Sequence, residues 1–296
     1  MKRTIAACVI ACALGMSYLY GVYSHRDRLP PYPQLLALRN RLFPGSIGFK
    51  NTRGKIELPC REIGSGKLMV ALAFGQSNSG NHGETVRASM DGVYNFFRGR
   101  CYRAADPLLG PTGDRGSIWT RLGDLLVGSG RYDRVVFIPI GVGSTTIEDW
   151  TRGGYLHSRI LTAIRESRAR GLAITHLLWV QGGSEKRTRG DESNIERYRK
   201  AFHAMMESIR DEGVSAPVYV AVSTFNGRDV NPDIQAAQRD LADPGKSIYP
   251  GPDDDEVLQD VNSRWEEVHL SARSLDRCAL EWVKALDRVE GDARKR

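Results

Sequence analysis

The chain has 296 residues, with 42 Lys+Arg against 35 Asp+Glu and a formal net charge of +7. Apolar residues make up 41% and charged residues 26%, a balance that excludes a wholly disordered chain and a polytopic membrane protein. The 31 Gly and 13 Pro show no triplet period, which excludes a collagen-like fibre, and 5 Cys are too few for a disulfide-built scaffold.

Lys2 and Arg3 precede an uncharged run from Thr4 to Tyr23 that ends at His25-Arg26-Asp27-Arg28. A run of about 20 residues matches a bilayer's hydrocarbon core, and tyrosines at one end suit the interface. The expectation is a single N-terminal transmembrane helix, residues 1–24, with the N-terminus inside. A cleaved signal peptide fits the same basic start and apolar middle. Val9-Ile10-Ala11-Cys12 also resembles a lipoprotein cleavage box. All three routes carry the remaining chain out of the cytoplasm: membrane-anchored, or secreted or periplasmic after cleavage. In an oxidising compartment Cys60 and Cys101 can bridge and leave Cys278 free; the other reading is three unpaired small apolar side chains.

Residues 25–66 are rich in Pro, Arg and Gly and read as a stalk and lead-in. Strand-length apolar runs then recur at 68–74, 135–140, 176–180 and 218–222, each bounded by Gly or polar residues, as in strands buried on both faces. Helical stripes lie at 117–127, 194–212 and 270–289. Strands alternating with helices argue for an α/β fold with a mainly parallel sheet covered on both faces, over residues 67–290. Residues 227–260 lack a strong period and read as loop and short helix. Residues 291–296 form a basic tail.

The first core strand runs into Gly75-Gln76-Ser77-Asn78-Ser79-Gly80-Asn81. A Ser at the C-terminal end of such a strand faces the crevice where parallel α/β sheets bind ligands. A helix starting at Ser77 or Asn78 would aim free N–H groups at it, which suits acyl transfer. The plain alternative is an N-cap on an ordinary strand-to-helix turn.

Gly75-Gln76-Ser77-Asn78 resembles the opening block of the SGNH hydrolases, and in particular of the sialate O-acetylesterase-like carbohydrate esterases. Gly143-Ser144-Thr145-Thr146-Ile147-Glu148-Asp149-Trp150 is similar to that group's G-G-T-S-I-x-x-W. Trp179-Val180-Gln181-Gly182-Gly183-Ser184-Glu185 resembles its W-x-Q-G-E-S-D, and Glu266-Glu267-Val268-His269-Leu270-Ser271 resembles its D-x-x-H-hydrophobic-S. Three positions depart from the pattern: Ser144 replaces a Gly, Gly183 a Glu, and Glu266 an Asp.

The resemblance implies a three-layer α/β/α sandwich with a flavodoxin-like sheet. It implies a serine esterase that removes short acyl groups, O-acetyl foremost, from carbohydrate, without metal or cofactor. Ser77 would be the nucleophile, His269 the base and Glu266 the acid that orients it, with Glu267 as substitute. The oxyanion hole would combine the Ser77 N–H, an N–H from Gly143 or Ser144, and the Gln181 side chain. Trp150 and Trp179 would stack on sugar or fill the core. An O-acetyltransferase using the same Ser/His pair, or a catalytically weak glycan-binding protein, are the alternatives. The scattered basic residues, Lys186-Arg187-Thr188-Arg189 among them, lack a nucleic-acid-binding module; the expected partners are acylated glycan and, through residues 1–24, the membrane.

Overall fold

A computed structural model describes residues 2–26, 46–64 and 66–293, with isolated positions between 31 and 43. The chain divides into two units, Met1–Ser46 and Ile47–Arg296. The first holds a helix over Lys2–Arg26. The expected membrane span finds no support there. Among the described residues no helix is long and apolar enough to cross a membrane. The side chains of residues 2–9, on which the expectation leaned, lie outside the described set, and the continuous stretch 12–22 is about half the ~20 residues a span needs.

The second unit is built on an eight-stranded sheet in the order β1-β4-β3-β5-β2-β6-β7-β8. The strands are β1 Glu57–Leu58, β2 Leu68–Gly75, β3 Val93–Phe97, β4 Arg100–Arg103, β5 Arg134–Pro139, β6 His176–Val180, β7 Val218–Val222 and β8 Ile248–Asp253. From β3 to β8 every pair is parallel, while β1, β4 and β3 form an antiparallel edge. Leaving that edge aside, β5-β2-β6-β7-β8 is the flavodoxin-like order, in which the direction of winding changes beside the first strand. That switch point lies between β2 and β6.

Side chains alternate along β2. Val70, Leu72 and Phe74 face a core shared with the helices His157–Arg168, Glu192–Asp211 and Pro232–Asp240. Met69, Ala71 and Ala73 face a second core shared with the helices Ile118–Gly128 and Ala272–Ala293. The result is the expected three-layer sandwich. Ser117 caps the helix Ile118–Gly128 by accepting from the Trp119 N–H, and Asp191 caps the helix Glu192–Asp211 by accepting from the Asn194 N–H, so both helices start where a short polar side chain satisfies a free amide.

The lead-in is part of this unit from Ile47 onward. Strand β1 pairs with β4, and a Cys60–Cys101 disulfide ties the 3₁₀ turn Cys60–Ile63 to β4. Cys278 is a buried free thiol. Trp150 and Trp179 are both fully buried and packed edge to face at 5.9 Å, so they fill the core and present no sugar-stacking face.

Candidate active site

Strand β2 ends at Gly75, whose φ of +123° and approach to the Val180 carbonyl leave no room for a Cβ. The Gln76 N–H continues the ladder to Val180 O at 2.8 Å. The chain then makes a short 3₁₀ turn, Ser77–Ser79, closed by Ser79 N–H to Gln76 O at 3.0 Å and Gly80 N–H to Ser77 O at 2.8 Å. This replaces the expected helix N-terminus: a three-residue turn carries little of a helix's summed dipole. Ser77 itself is partly exposed, and among the described residues its N–H donates to no protein acceptor.

The turn is held in place from two sides. The Gln76 side-chain oxygen accepts from the Gly182 N–H at 3.1 Å and the Ser184 N–H at 3.3 Å, binding the loop after β6 to the Ser77 turn. On the other side lies the two-residue strand β10, His269–Leu270, which packs against Ser77–Ser79. Strand β10 pairs with β9, Arg264–Trp265, so that His269 faces Trp265 and Leu270 faces Arg264. The Glu84 N–H donates to Leu270 O at 3.0 Å, and the Glu84 carboxylate accepts from the Ala272 N–H at 2.7 Å. One acidic side chain thereby ties the loop after Ser77 to the segment carrying His269, across nearly the whole sequence.

The β9–β10 connection is a tight turn with two consecutive non-glycine residues at positive φ, Glu266 at 48° and Glu267 at 64°. Such positions cost on the order of 1 kcal/mol each and persist where the surroundings impose them. Here the turn brings Glu266 Oε2 to 3.5 Å from His269 Nδ1. His269 is buried, with 6% of its side chain exposed, whereas Glu266 is 57% exposed and reaches the imidazole from solvent.

Two residues that the sequence did not single out join this centre. His82 stacks on His269 with ring centres 4.9 Å apart and planes at 29°. Its Nε2 lies 3.0 Å from Thr112 Oγ1, which also accepts the Gly143 N–H at 2.8 Å. Gly143 faces both Ser77 and His82: a Cβ there would lie 3.6 Å from Ser77 Cβ and 3.5 Å from His82 Nε2. Ser77, His82, Gly143 and His269 thus surround one spot at the C-terminal ends of the central strands. Asn81-His82 sits four and five residues past Ser77, and no motif marked it.

Two of the other expected donors, the Gly143 N–H and the Gln181 amide, are engaged. The Gly143 N–H is taken by Thr112. Gln181 is fully buried, and its Nε2 donates to Thr145 O at 2.9 Å and to Glu185 Oε1 at 2.7 Å, which uses both amide protons. Ser144 lies at φ +61°, the backbone region that favours the Gly of the related block, and its side chain is exposed. At Gly183 a Cβ would come within 2.7 Å of Phe225 O and 2.8 Å of Gln76 Nε2, so the loop 225–232 occupies the space that a Glu would need. Glu185 is buried, accepts from the Ile147 N–H and Gln181, and pairs with Arg197 at 2.7 Å. Burial pushes its carboxyl up to about 7.

The family model for carbohydrate esterases of the sialic acid-specific acetylesterase type matches residues 123–285. That stretch includes Gly143, Gln181, Glu266 and His269 and begins after Ser77. A probable carbohydrate esterase of Arabidopsis thaliana is 31% identical over 75 residues, which is 25% of this chain and 28% of that protein. The crystal structure of a protein from Arabidopsis thaliana superposes with a TM-score of 0.60 at 18% identity, over 75% of this chain and 98% of the other. The crystal structure of NanS gives 0.53 at 14% identity, over 78% of this chain and 99% of the other. These two structures share the fold.

Proposed function

We propose a reaction on one premise: the chain belongs to the carbohydrate esterase family of sialic acid-specific acetylesterases. It is therefore a carboxylic ester hydrolase of carbohydrate. The reading we infer for its site is removal of O-acetyl groups through an acyl-Ser77 intermediate. The observation that carries it is the packing of the His269 strand against the Ser77 turn, with an acid 3.5 Å behind the imidazole.

In this reading His269 takes the Ser77 hydroxyl proton as Ser77 Oγ attacks the acetyl carbonyl. Glu266 holds the ring by Nδ1 and stabilises the imidazolium that forms. The tetrahedral oxyanion meets the Ser77 N–H first, since that donor is open. The Gly143 N–H joins when the oxyanion replaces Thr112 Oγ1 as its acceptor, a charge-assisted bond replacing a neutral one. Gln181 would have to give up a buried bond to Thr145 or Glu185, so it serves first to hold the loops of Thr145 and Glu185 together. Collapse expels the sugar hydroxyl, which regains its proton from His269. Water then repeats the sequence to release acetate and free Ser77. The Cys60–Cys101 bridge supports an oxidising, extracytoplasmic setting for this chemistry.

The test compares purified protein with Ser77→Ala and His269→Ala on p-nitrophenyl acetate and on O-acetylated sugars, with circular dichroism to confirm folding. Each variant is expected to lose roughly 1,000-fold or more in kcat. Equal hydrolysis by wild type and Ser77→Ala would overturn the acyl-serine mechanism.

A further inference from the structure

Beside the Ser77–His269 centre lies a cavity of about 690 Å³ whose walls carry Arg187, Arg189, Arg228 and Arg264, with Asp229 as the acid among them. It adjoins the catalytic loops. Arg264 is the register partner of Leu270, the residue after His269. Gly227, between cavity residues Phe225 and Arg228, approaches Val268 so closely that a Cβ would lie 2.7 Å from Val268 Cγ1. Phe225 O borders Gly183, on the loop that Gln76 holds.

Two of the arginines, Arg187 and Arg264, are fixed by backbone carbonyls. Arg264 lies over the Phe225 ring at 4.2 Å and donates to Leu258 O at 2.6 Å and Gln259 O at 3.0 Å. Arg187 donates to Asp229 O at 2.8 Å and Val230 O at 2.6 Å, and sits 3.7 Å from the Asp229 carboxylate. Carbonyl oxygens orient a guanidinium but leave its charge in place. Among the described residues, Arg228 and Arg264 form no ion pair with a carboxylate, while Arg189 is close enough to Asp233 to help the Thr188 hydroxyl lower its pKa. Four guanidinium groups against Asp229 and Asp233 leave a net positive charge in a concave space, where low-dielectric walls concentrate the field. Planar guanidinium forks match the two oxygens of an oxyacid. The plain alternative, a solvated basic loop, does not account for two arginines locked to backbone carbonyls around a cavity.

We propose that this arginine-lined cavity is a subsite for an anionic group of a polymeric glycan, which docks one acidic residue there while an ester elsewhere on the chain enters the Ser77 centre. The proposal rests on the esterase reading for the second half of that statement only. The shared ligand chemistry is a carboxylate or sulfate on a sugar ring.

The test uses the full chain and the double variant Arg189→Gln/Arg228→Gln, which touches neither Ser77 nor His269. Binding of polygalacturonate, dextran sulfate and neutral dextran is measured by calorimetry; turnover is measured on O-acetylated polygalacturonate fragments, a neutral acetylated xylo-oligosaccharide and p-nitrophenyl acetate. The double variant is expected to lose at least ~10-fold in affinity for a polyanion and in kcat/KM on the acidic ester, mainly through KM. Its rates on the neutral esters should stay within about twofold. Raising NaCl from about 50 to about 500 mM should erase the wild-type preference. The polyanion that binds tells carboxylate from sulfate. Arginine-dependent binding without turnover of any ester would sink the esterase mechanism and leave the subsite standing. Turnover with equal affinity of wild type and variant for both polyanions, or an equal loss on neutral and acidic esters, would overturn the subsite.

Discussion

The His82 ring lies stacked on the His269 ring, 4.9 Å centre to centre, with its far edge held by Thr112 at 3.0 Å. A second imidazole thus forms the wall against which the proposed base is positioned, and it reached that place from five residues past Ser77. His82→Ala removes both the wall and its tether. We expect a loss of about 10-fold in kcat on p-nitrophenyl acetate, since a small misplacement of a catalytic group can cost up to 100-fold. His82→Phe keeps a ring face and should recover part of that loss. Equal rates for wild type and His82→Ala would remove His82 from the positioning role.

Glu266 approaches His269 from solvent, and Glu267 is its neighbour on the same strained turn. Water and salt screen an exposed acid, so its contribution is smaller than that of a buried triad aspartate. Glu266→Gln is expected to lower kcat by roughly 10–100-fold, against about 10,000-fold for the buried case. Glu267→Gln should change it by less than about twofold. Reversed effects in steady-state kinetics would give the orienting role to Glu267.

Restoring the related families' acid at Gly183 should harm this protein. The Phe225 carbonyl and the Gln76 amide already occupy the space around that position. Gly183→Glu is expected to destabilise by about 1–3 kcal/mol, as overpacked sites do, and to reduce activity by displacing Gln76 from the Ser77 turn. A melting temperature and kcat equal to wild type would show that the loop yields freely.

Stability should fall as pH rises from mildly acid to mildly alkaline. Asp254 is completely buried and has no ion-pair partner among the described residues, and burial pushes its carboxyl from 3.8 up to about 7. Between those values the folded chain holds a proton that the unfolded chain has released, so raising the pH favours unfolding. About three pH units correspond to a loss on the order of 4 kcal/mol, complete above pH ~7. Asp106 and Glu185, each also pushed up to about 7 by burial, act with the same sign. Thermal melts from pH 5 to 8 should show a declining midpoint, and Asp254→Asn should flatten part of the decline. A midpoint that rises over this range would contradict the burial argument.

Much of the architecture was legible because its signals are local. Four apolar runs became β2, β5, β6 and β7 within a residue of their expected ends, since a strand buried on both faces must be apolar throughout. The apolar stripes at 117–127 and 194–212 became the helices Ile118–Gly128 and Glu192–Asp211, since one apolar face per helix is a local signal. The hairpin β3–β4 was missed; its turn at Arg98-Gly99, both residues at positive φ, is the signal that marks it. Strand β8, Ile-Tyr-Pro-Gly-Pro-Asp, reads as loop by composition and is a strand only because it lies at the sheet edge, where proline is tolerated.

The residue types of an esterase centre, and the order of the blocks that carry them, were determined by the amino-acid sequence alone. Which groups meet there was decided by the tertiary structure. The parallel winding brings Ser77 and His269 to one end of the sheet, and the crossing of separate loops adds His82, Thr112 and the arginines of the neighbouring cavity. Hydrogen-bond partners such as Thr112 for Gly143, or Thr145 and Glu185 for Gln181, are chosen by distance in space. No pattern along the chain encodes that distance, because it exists only once the strands have packed.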